Sequence, residues 1–237
     1  MTRWVRSACC LALMLAALTG YAQDEEGFSG RVAFGFLSTS GNAENESLNT
    51  SFNLWWNYDP WRHELSGLAI RSSTSDVTTA EAYGLAWQSN AALTETGYIY
   101  GHAALDDDEF SSYARQLRAA VGYGRRFIDR DRHVLNAEAG VGARQADLRD
   151  GTELDEAIVR LSGDYRWSIS ETSAFTQSLA IETGPDNTFV EAASTVSADV
   201  RENLSLVISY TIKSHSRVLP GTDKTDTFSA ISLEYTF

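Results

Sequence analysis

Cysteine and proline are both scarce in this 237-residue chain. The two cysteines stand side by side near the N-terminus, so a disulfide framework or a thiolate metal site in the rest of the chain is excluded. The prolines are equally few, and none falls inside a stretch that alternates between apolar and polar residues, where proline would remove a ladder hydrogen bond. These residues are Cys9, Cys10, Pro60, Pro185 and Pro220.

Long apolar runs are also missing. Residues 1–22 combine Arg3 and Arg6 with a short apolar stretch and end in Gly20-Tyr21-Ala22, a pattern that predicts a secretory signal peptide cleaved before Gln23. The stretch is too short for a comfortable membrane anchor, and no later run approaches the roughly 18 residues of a transmembrane helix. Any membrane span in the predicted domain, residues 23–237, would therefore have to be a closed sheet.

Basic residues are outnumbered. The chain has 19 Lys and Arg against 32 Asp and Glu, and loss of Arg3 and Arg6 with the signal peptide leaves 17 against 32, a net charge of −15. Such a surface repels phosphate backbones, so nucleic acid is not an expected partner.

What the chain does have is alternation of apolar and polar residues. In the last stretch, 224–237, the apolar residues Ile231, Leu233, Tyr235 and Phe237 alternate with polar or small ones. A period of two predicts a strand with one apolar face. A terminal aromatic is typical of outer-membrane barrels, in which the last strand pairs with the first and its outer face meets lipid.

The same period recurs along the chain and predicts an all-β, transmembrane, antiparallel up-and-down β-barrel of about twelve strands. An even count puts both chain ends on one side of the membrane. The odd-numbered connections are expected to be long and polar and the even-numbered ones short. The predicted strands are 28–37, 47–58, 61–72, 79–92, 97–105, 113–127, 134–147, 157–169, 173–183, 189–201, 204–213 and 224–237.

Aromatic residues cluster beside the short connections, as in the interfacial belt of a membrane barrel. A soluble barrel or sandwich also alternates, with its apolar face inside. The belt, the terminal Phe and the small residues on the polar faces favour lipid outside. The predicted belt comprises Trp55, Trp56, Tyr58, Trp61, Tyr98, Phe127, Trp167 and Phe237.

Three motifs carry a family resemblance. SGNAE at 40–44 follows a first strand that contains Gly30 and Gly35, YGRRFIDRDRHVLNAEAGVGAR spans 123–144, and PGTDKTDT spans 220–227. Together they resemble the family of salt-induced outer-membrane proteins, a domain family of unknown function. The resemblance covers nearly the whole predicted domain. It implies a bacterial outer-membrane barrel and a link to salt or osmotic stress, and it carries no catalytic or ligand residues.

Enzymatic chemistry is not predicted. No metal-binding histidine spacing occurs, and no cofactor is expected. A barrel phospholipase would need a lipid-facing His and Ser near the outer rim, whereas the phase of the strand turns His215 inward. The acidic run 106–109 is interpreted as a solvated loop; divalent-cation binding there remains an alternative.

The inward positions suggest the function. Basic residues on the sixth to eighth strands and acidic residues on the ninth and tenth predict a charged lumen. One interpretation is a narrow, water-filled pore for ions or small polar solutes. The alternative is a plugged structural barrel whose acidic loops contact lipopolysaccharide, cations or partner proteins. Outer-membrane lipid, lipopolysaccharide and the barrel-assembly machinery are the expected partners. The predicted lumen-lining residues are Arg118, Arg126, Glu138, Arg144, Arg160, Asp164, Arg166, Glu182, Glu191, Asp199 and Lys213.

Overall fold

The computed structural model describes residues 27–39, 45–75 and 77–237, and the predicted signal peptide lies outside them. Twelve strands follow one another along this part of the chain, and each coincides with a predicted one to within a few residues. The strands are β1 Gly27–Thr39, β2 Asn45–Tyr58, β3 Trp61–Thr74, β4 Val77–Ala92, β5 Gly97–Asp108, β6 Tyr113–Arg130, β7 His133–Leu148, β8 Glu153–Ser168, β9 Ser173–Thr183, β10 Thr188–Arg201, β11 Leu204–His215 and β12 Thr225–Thr236.

The strands form one closed antiparallel barrel in which every strand pairs with its neighbours in the sequence. The seam between β1 and β12 sets Val32 opposite Tyr235 and Phe34 opposite Leu233. Gly30 N donates to Phe237 O at 2.8 Å, and Phe237 N donates to Gly30 O at 2.9 Å. The predicted fold class and the pairing of the last strand with the first are confirmed.

The apolar face of the strands points outward. Leu206, Tyr210 and Leu233 keep 43%, 45% and 47% of their surface exposed, and Val121, Val141 and Ile231 are more exposed still. The polar faces enclose the interior, where Arg144 and Glu182 are among the most deeply buried side chains. An apolar exterior around a polar interior is the reverse of a soluble barrel and is the arrangement that lipid requires.

The described residues contain no helix long and apolar enough to cross a membrane.

The two ends of the barrel differ. The end at which β12 finishes carries the even-numbered connections and is called the turn end; the opposite end is called the loop end. The prediction of uniformly long loops at the loop end is wrong, because β3 runs to Thr74 and β4 begins at Val77. Polar residues there extend the strands beyond the apolar band instead of forming loops.

The aromatic belt lies at the turn end and is continuous over several strands. Phe28 packs between Phe237 and Trp56, with ring centroids 5.9 and 5.3 Å away, and Trp56 stacks on Trp87 at 6.2 Å. Two predicted members do not belong to it. Trp55 faces inward beneath the Arg31 guanidinium, and Tyr98 donates from inside the barrel to Glu138 at 2.9 Å.

Glycines on the inner face of β6 and β7 make room for two tyrosine rings of β5. A Cβ at Gly122 or Gly140 would collide with Tyr100, and one at Gly124 with Tyr98. The rings therefore lie flat along the wall, and this close approach leaves space above them for the charged side chains of the neighbouring strands.

Candidate functional site

The lumen contains a cluster of buried ion pairs. Arg144 on β7 is wholly buried. It contacts Glu156, which lies directly opposite on β8, and its Nη2 donates to the backbone oxygen of Asn187 at 2.6 Å. Burying a guanidinium costs several kcal/mol unless its charge and donors are matched, so this pair ties β7, β8 and the β9–β10 connection together.

A second group of pairs lies deeper in the barrel. Arg160 Nη1 is 3.3 Å from Glu138 Oε2, and Arg160 Nε is 3.6 Å from Glu182 Oε1. Glu182 also accepts from Arg118 Nη1 at 3.4 Å. Glu138 in addition accepts from Ser162 Oγ at 2.9 Å. The members alternate in sign, so the cluster is electrically matched within itself.

The pairing differs from the predicted arrangement of a basic wall facing an acidic wall. Arg160 and Glu182 are direct neighbours across β8 and β9, and Glu138 and Glu156 place acids among the basic strands. Most of the interaction therefore runs along one side of the lumen and not across it. Counting charges strand by strand could not show this, because the cross-strand register decides which neighbours meet.

One contact does cross the lumen. Lys213 Nζ on β11 lies 3.3 Å from Asp106 Oδ1 on β5 and 3.8 Å from Glu191 Oε2 on β10. Asp106 also contacts Arg118. Strands β5 and β11 are six positions apart in the ring of twelve, so this pair spans the barrel. The interpretation of the acidic run as a loop is wrong for its first three residues, since β5 extends to Asp108.

At the loop end, the β11–β12 connection crosses the mouth of the barrel; residues 216–224 are called the strap. Tyr113 Oη donates to Arg217 O at 2.9 Å, and Leu219 N donates to Ser112 Oγ at 3.0 Å. Arg217 N donates to Asn187 Oδ1 at 3.3 Å. Ser112 and Asn187 retain 2% and 1% of their surface, so the strap covers these contacts fully.

An aromatic stack lies beneath the strap. The His215 ring lies 4.2 Å from the Tyr113 ring and 4.8 Å from the Phe189 ring, centroid to centroid, and its Nδ1 is 2.9 Å from Asn187 Nδ2. Strict alternation would turn Tyr113 outward with Leu117, but a register shift after Tyr113 turns it inward. No sequence signal marks that bulge.

The remaining predicted lumen residues lie outside the buried cluster. Asp164 and Arg166 line a cavity near the turn end. Arg126 is partly exposed and bonds Asp129 at 2.9 Å beside a short turn, and Asp199 is exposed and accepts from Ser205 Oγ at 2.7 Å. The structure thus brings together Arg118, Glu138, Arg144, Arg160, Glu182, Glu191 and Lys213 on the side of β6–β11 and leaves the other four near the turn end.

Beside the paired cluster runs open space. A cavity of about 710 Å³ occupies the turn-end half of the lumen, and a cavity of about 240 Å³ occupies the loop-end half. They adjoin, because both are lined by Asp106, Lys213, Arg31 and Ser51. The open space is bordered by β1–β4 along both cavities, by β12 in the smaller cavity, and by β8–β11 on the other side. On β1–β4 and β12, called the open side, many inward residues are small or uncharged, among them Ala33, Asn49, Ser51, Leu68, Gly84 and Ser232.

Sequence reasoning missed the charged members of this open side. Arg31 Nη1 lies 3.7 Å from Glu234 Oε1 across the β1–β12 seam, and Arg62 and Glu64 line the larger cavity. Their strand phase could have identified them, since each occupies the polar face of an alternating stretch.

A lipid-facing His and Ser do meet, though not at His215. His63 Nδ1 lies 2.7 Å from Ser89 Oγ on the outer surface near the turn end, and Trp87 Nε1 donates to the same oxygen at 2.7 Å. Within the described residues no carboxylate contacts His63, so the pair lacks the third group that orients a catalytic base. The part of the chain that the structure describes also contains no group of three or more His, Cys, Asp or Glu side chains that could hold a metal ion.

This arrangement defines the class of protein: a closed twelve-stranded barrel with an apolar exterior and a charged interior, the architecture of outer-membrane barrels. The first of two similar solved structures supports this fold. The translocator domain of the autotransporter NalP from Neisseria meningitidis is 11% identical, with a TM-score of 0.50, and the match covers 98% of this chain and 95% of that one. The NanC porin is 11% identical with a TM-score of 0.48, over 89% and 98% of the two chains.

The chain belongs to the family described as protein of unknown function, DUF481, whose model matches residues 32–237. The uncharacterized protein YdiY of Escherichia coli (strain K12) is 26% identical over 215 residues, which are 90% of this chain and 85% of that one. The expected membership of a domain family of unknown function is confirmed. Salt induction, which the resemblance implied, stays a prediction.

Proposed function

We propose that this barrel is a narrow outer-membrane pore for ions or small polar solutes, with no enzymatic activity. The observation that carries the proposal is the off-centre path: two adjoining cavities of about 710 and 240 Å³ run beside the ion-pair cluster, and Asp106 and Lys213 line both. Solutes would pass between the ion-pair cluster and the walls of β1–β4, where many inward side chains are small.

Two physical arguments support a wet path. Isolated charges inside a protein need water or a partner. Within the described residues Arg62, Asp164 and Arg166 have no salt-bridge partner, yet all three line the larger cavity. Water in that cavity would solvate them. The Lys213–Asp106 contact, where opposite walls meet, lies on this path.

Planar-bilayer recording of the refolded protein tests the proposal, and unitary conductance steps are expected. Because Lys213 borders the path, Lys213→Gln should raise the preference for cations. In water a unit charge at about 4 Å is worth about 1 kcal/mol, which is roughly fivefold in the relative permeability of a monovalent ion.

The matched control is Arg125→Gln, which removes the same charge from the exposed outer side of β6. Its ion selectivity should equal that of the unmodified protein. Absence of unitary steps, or an equal shift in both variants, would contradict a pore that passes beside Lys213.

The membrane placement is part of the proposal. We infer that the turn end, where β1 begins, β12 finishes and the aromatic belt lies, faces the periplasm, because bacterial barrels have short turns there. Lipid and lipopolysaccharide are then the surroundings, and the barrel-assembly machinery is the partner during biogenesis. A role in salt or osmotic stress is tested by the abundance of the protein in cells grown over a range of salt concentrations.

A non-conducting structural or surface-interaction barrel is the second candidate. The strap favours it, because it crosses the loop end and is held by two fully buried polar residues, Ser112 and Asn187. Replacing residues 218–223 with a short turn separates the candidates. A pore limited by the strap should gain conductance, whereas a barrel plugged by its ion pairs should stay silent.

A further inference from the structure

The outer wall carries a groove that differs from the rest of the apolar band. It has a volume of about 380 Å³ and lies across β4–β7. Its floor is made of small residues, Gly101, Ala103 and Ala119, and its sides include Trp87 and Val121. A Cβ built on Gly101 would meet nothing within 4 Å, so the floor is open to whatever lies against the barrel.

A polar site stands at one end of the groove. Ser89, which lines the groove, is paired with Gly101 on β5 and with His63 on β3. Its hydroxyl is 2.7 Å from His63 Nδ1 and accepts from Trp87 Nε1 at 2.7 Å. His63 also lies between the rings of Trp61 and Trp87, each at 5.9 Å, at the level of the aromatic belt.

We propose that this groove binds one glycerophospholipid, with an acyl chain over Gly101, Ala103 and Ala119 and the ester region at Ser89 and His63. The two halves of the site match the two halves of that ligand. A smooth floor of small side chains accommodates a flexible chain, and hydrogen-bonding groups at belt depth suit an ester carbonyl.

The position of Ser89 and His63 along the barrel axis favours a phospholipid over lipopolysaccharide. His63 lies two residues after Trp61, where β3 leaves the short turn, so the polar part of the site is at the turn end. In the orientation proposed above, that end meets the inner leaflet, where glycerophospholipids are found. The site depends on that placement in the membrane but not on conduction.

Lipid binding can be measured directly by native mass spectrometry. Dioleoyl phosphatidylethanolamine is titrated into the delipidated, refolded barrel in detergent, and the population with one bound lipid is followed. Gly101→Leu fills the floor and removes van der Waals contacts between the chain and the protein. Because each lost contact is individually weak and the displaced chain enters equally apolar detergent, binding should weaken by roughly three- to fivefold. Ser89→Ala should weaken it less, since it removes one hydrogen-bonding group.

The matched control is Ala139→Leu, which adds the same side chain at an exposed outward position of β7 outside the groove. It should bind like the unmodified barrel. If Gly101→Leu fails to fold on a heat-modifiability gel, Ala103→Leu fills the same floor. Unchanged binding in the folded groove variant, or an equal loss in Ala139→Leu, would overturn the proposal, and bilayer conductance of the same variants tests the pore separately.

Discussion

The two sides of the lumen are built differently although they belong to one sheet. On β5–β9 and β11 the inward side chains include a set that is long, charged and buried, and each member of that set meets a partner of opposite sign. On β1–β4 and β12 they are mostly small or uncharged and border open space. The first side therefore stabilises the barrel, and the second leaves the room that a solute needs.

A charged interior therefore does not by itself indicate a channel. Arg160 is one of the predicted lumen-lining residues, but it is paired with both Glu138 and Glu182. Its replacement should act mainly on stability. Lys213, which contacts Asp106 across the lumen and lines both cavities, is the better probe of permeation.

The largest effect is expected on the paired side. Arg144→Ala removes the partner of Glu156 and leaves a buried carboxylate unmatched, which typically costs about 3 to 5 kcal/mol. Urea unfolding in lipid bilayers measures the loss. The control is Arg71→Ala, whose exposed pair with Glu81 at 4.0 Å should contribute less than about 1 kcal/mol. Equal losses would show that the paired side has no special role in stability.

A smaller effect is expected at the strap. Asn187→Ala removes the hydrogen-bond acceptor of Arg217 N and the hydrogen-bond partner of His215 Nδ1. Loss of a buried hydrogen-bonding group costs about 1 to 3 kcal/mol of folding free energy. The local consequence is read by a thiol reagent on Ser112→Cys. The buried Cys should react slowly alone and faster when combined with Asn187→Ala. Equal reaction rates would mean that Asn187 does not hold the strap.

The smallest change in stability is expected on the open side. Ser51→Leu adds an apolar side chain to a wall that borders both cavities, and its free energy of unfolding should change by less than about 0.5 kcal/mol, since no packed neighbour is displaced. Its unitary conductance should nevertheless fall, because the path is narrowed. A stable variant with unchanged conductance would place the path elsewhere in the lumen.

The strand pattern was predictable because it is local. Alternation depends only on which residues are neighbours, so β11, with Leu206, Ile208 and Tyr210 on one side, could be assigned without any tertiary information. The candidate site was less predictable. Arg144 is predicted to point inward, but Glu156, its direct partner, is not, because the predicted eighth strand begins at 157 whereas β8 begins at Glu153.

The sequence alone determined the all-β class, the strand order and which face of each strand is apolar, since each of these follows from composition and a period of two. Only the tertiary structure decided that Lys213 reaches Asp106, that Tyr113 turns inward at a bulge, and that the strap crosses to Ser112. The reason is physical: such contacts join residues about a hundred positions apart, and closure of the barrel, with its register and bulges, sets the distance between them.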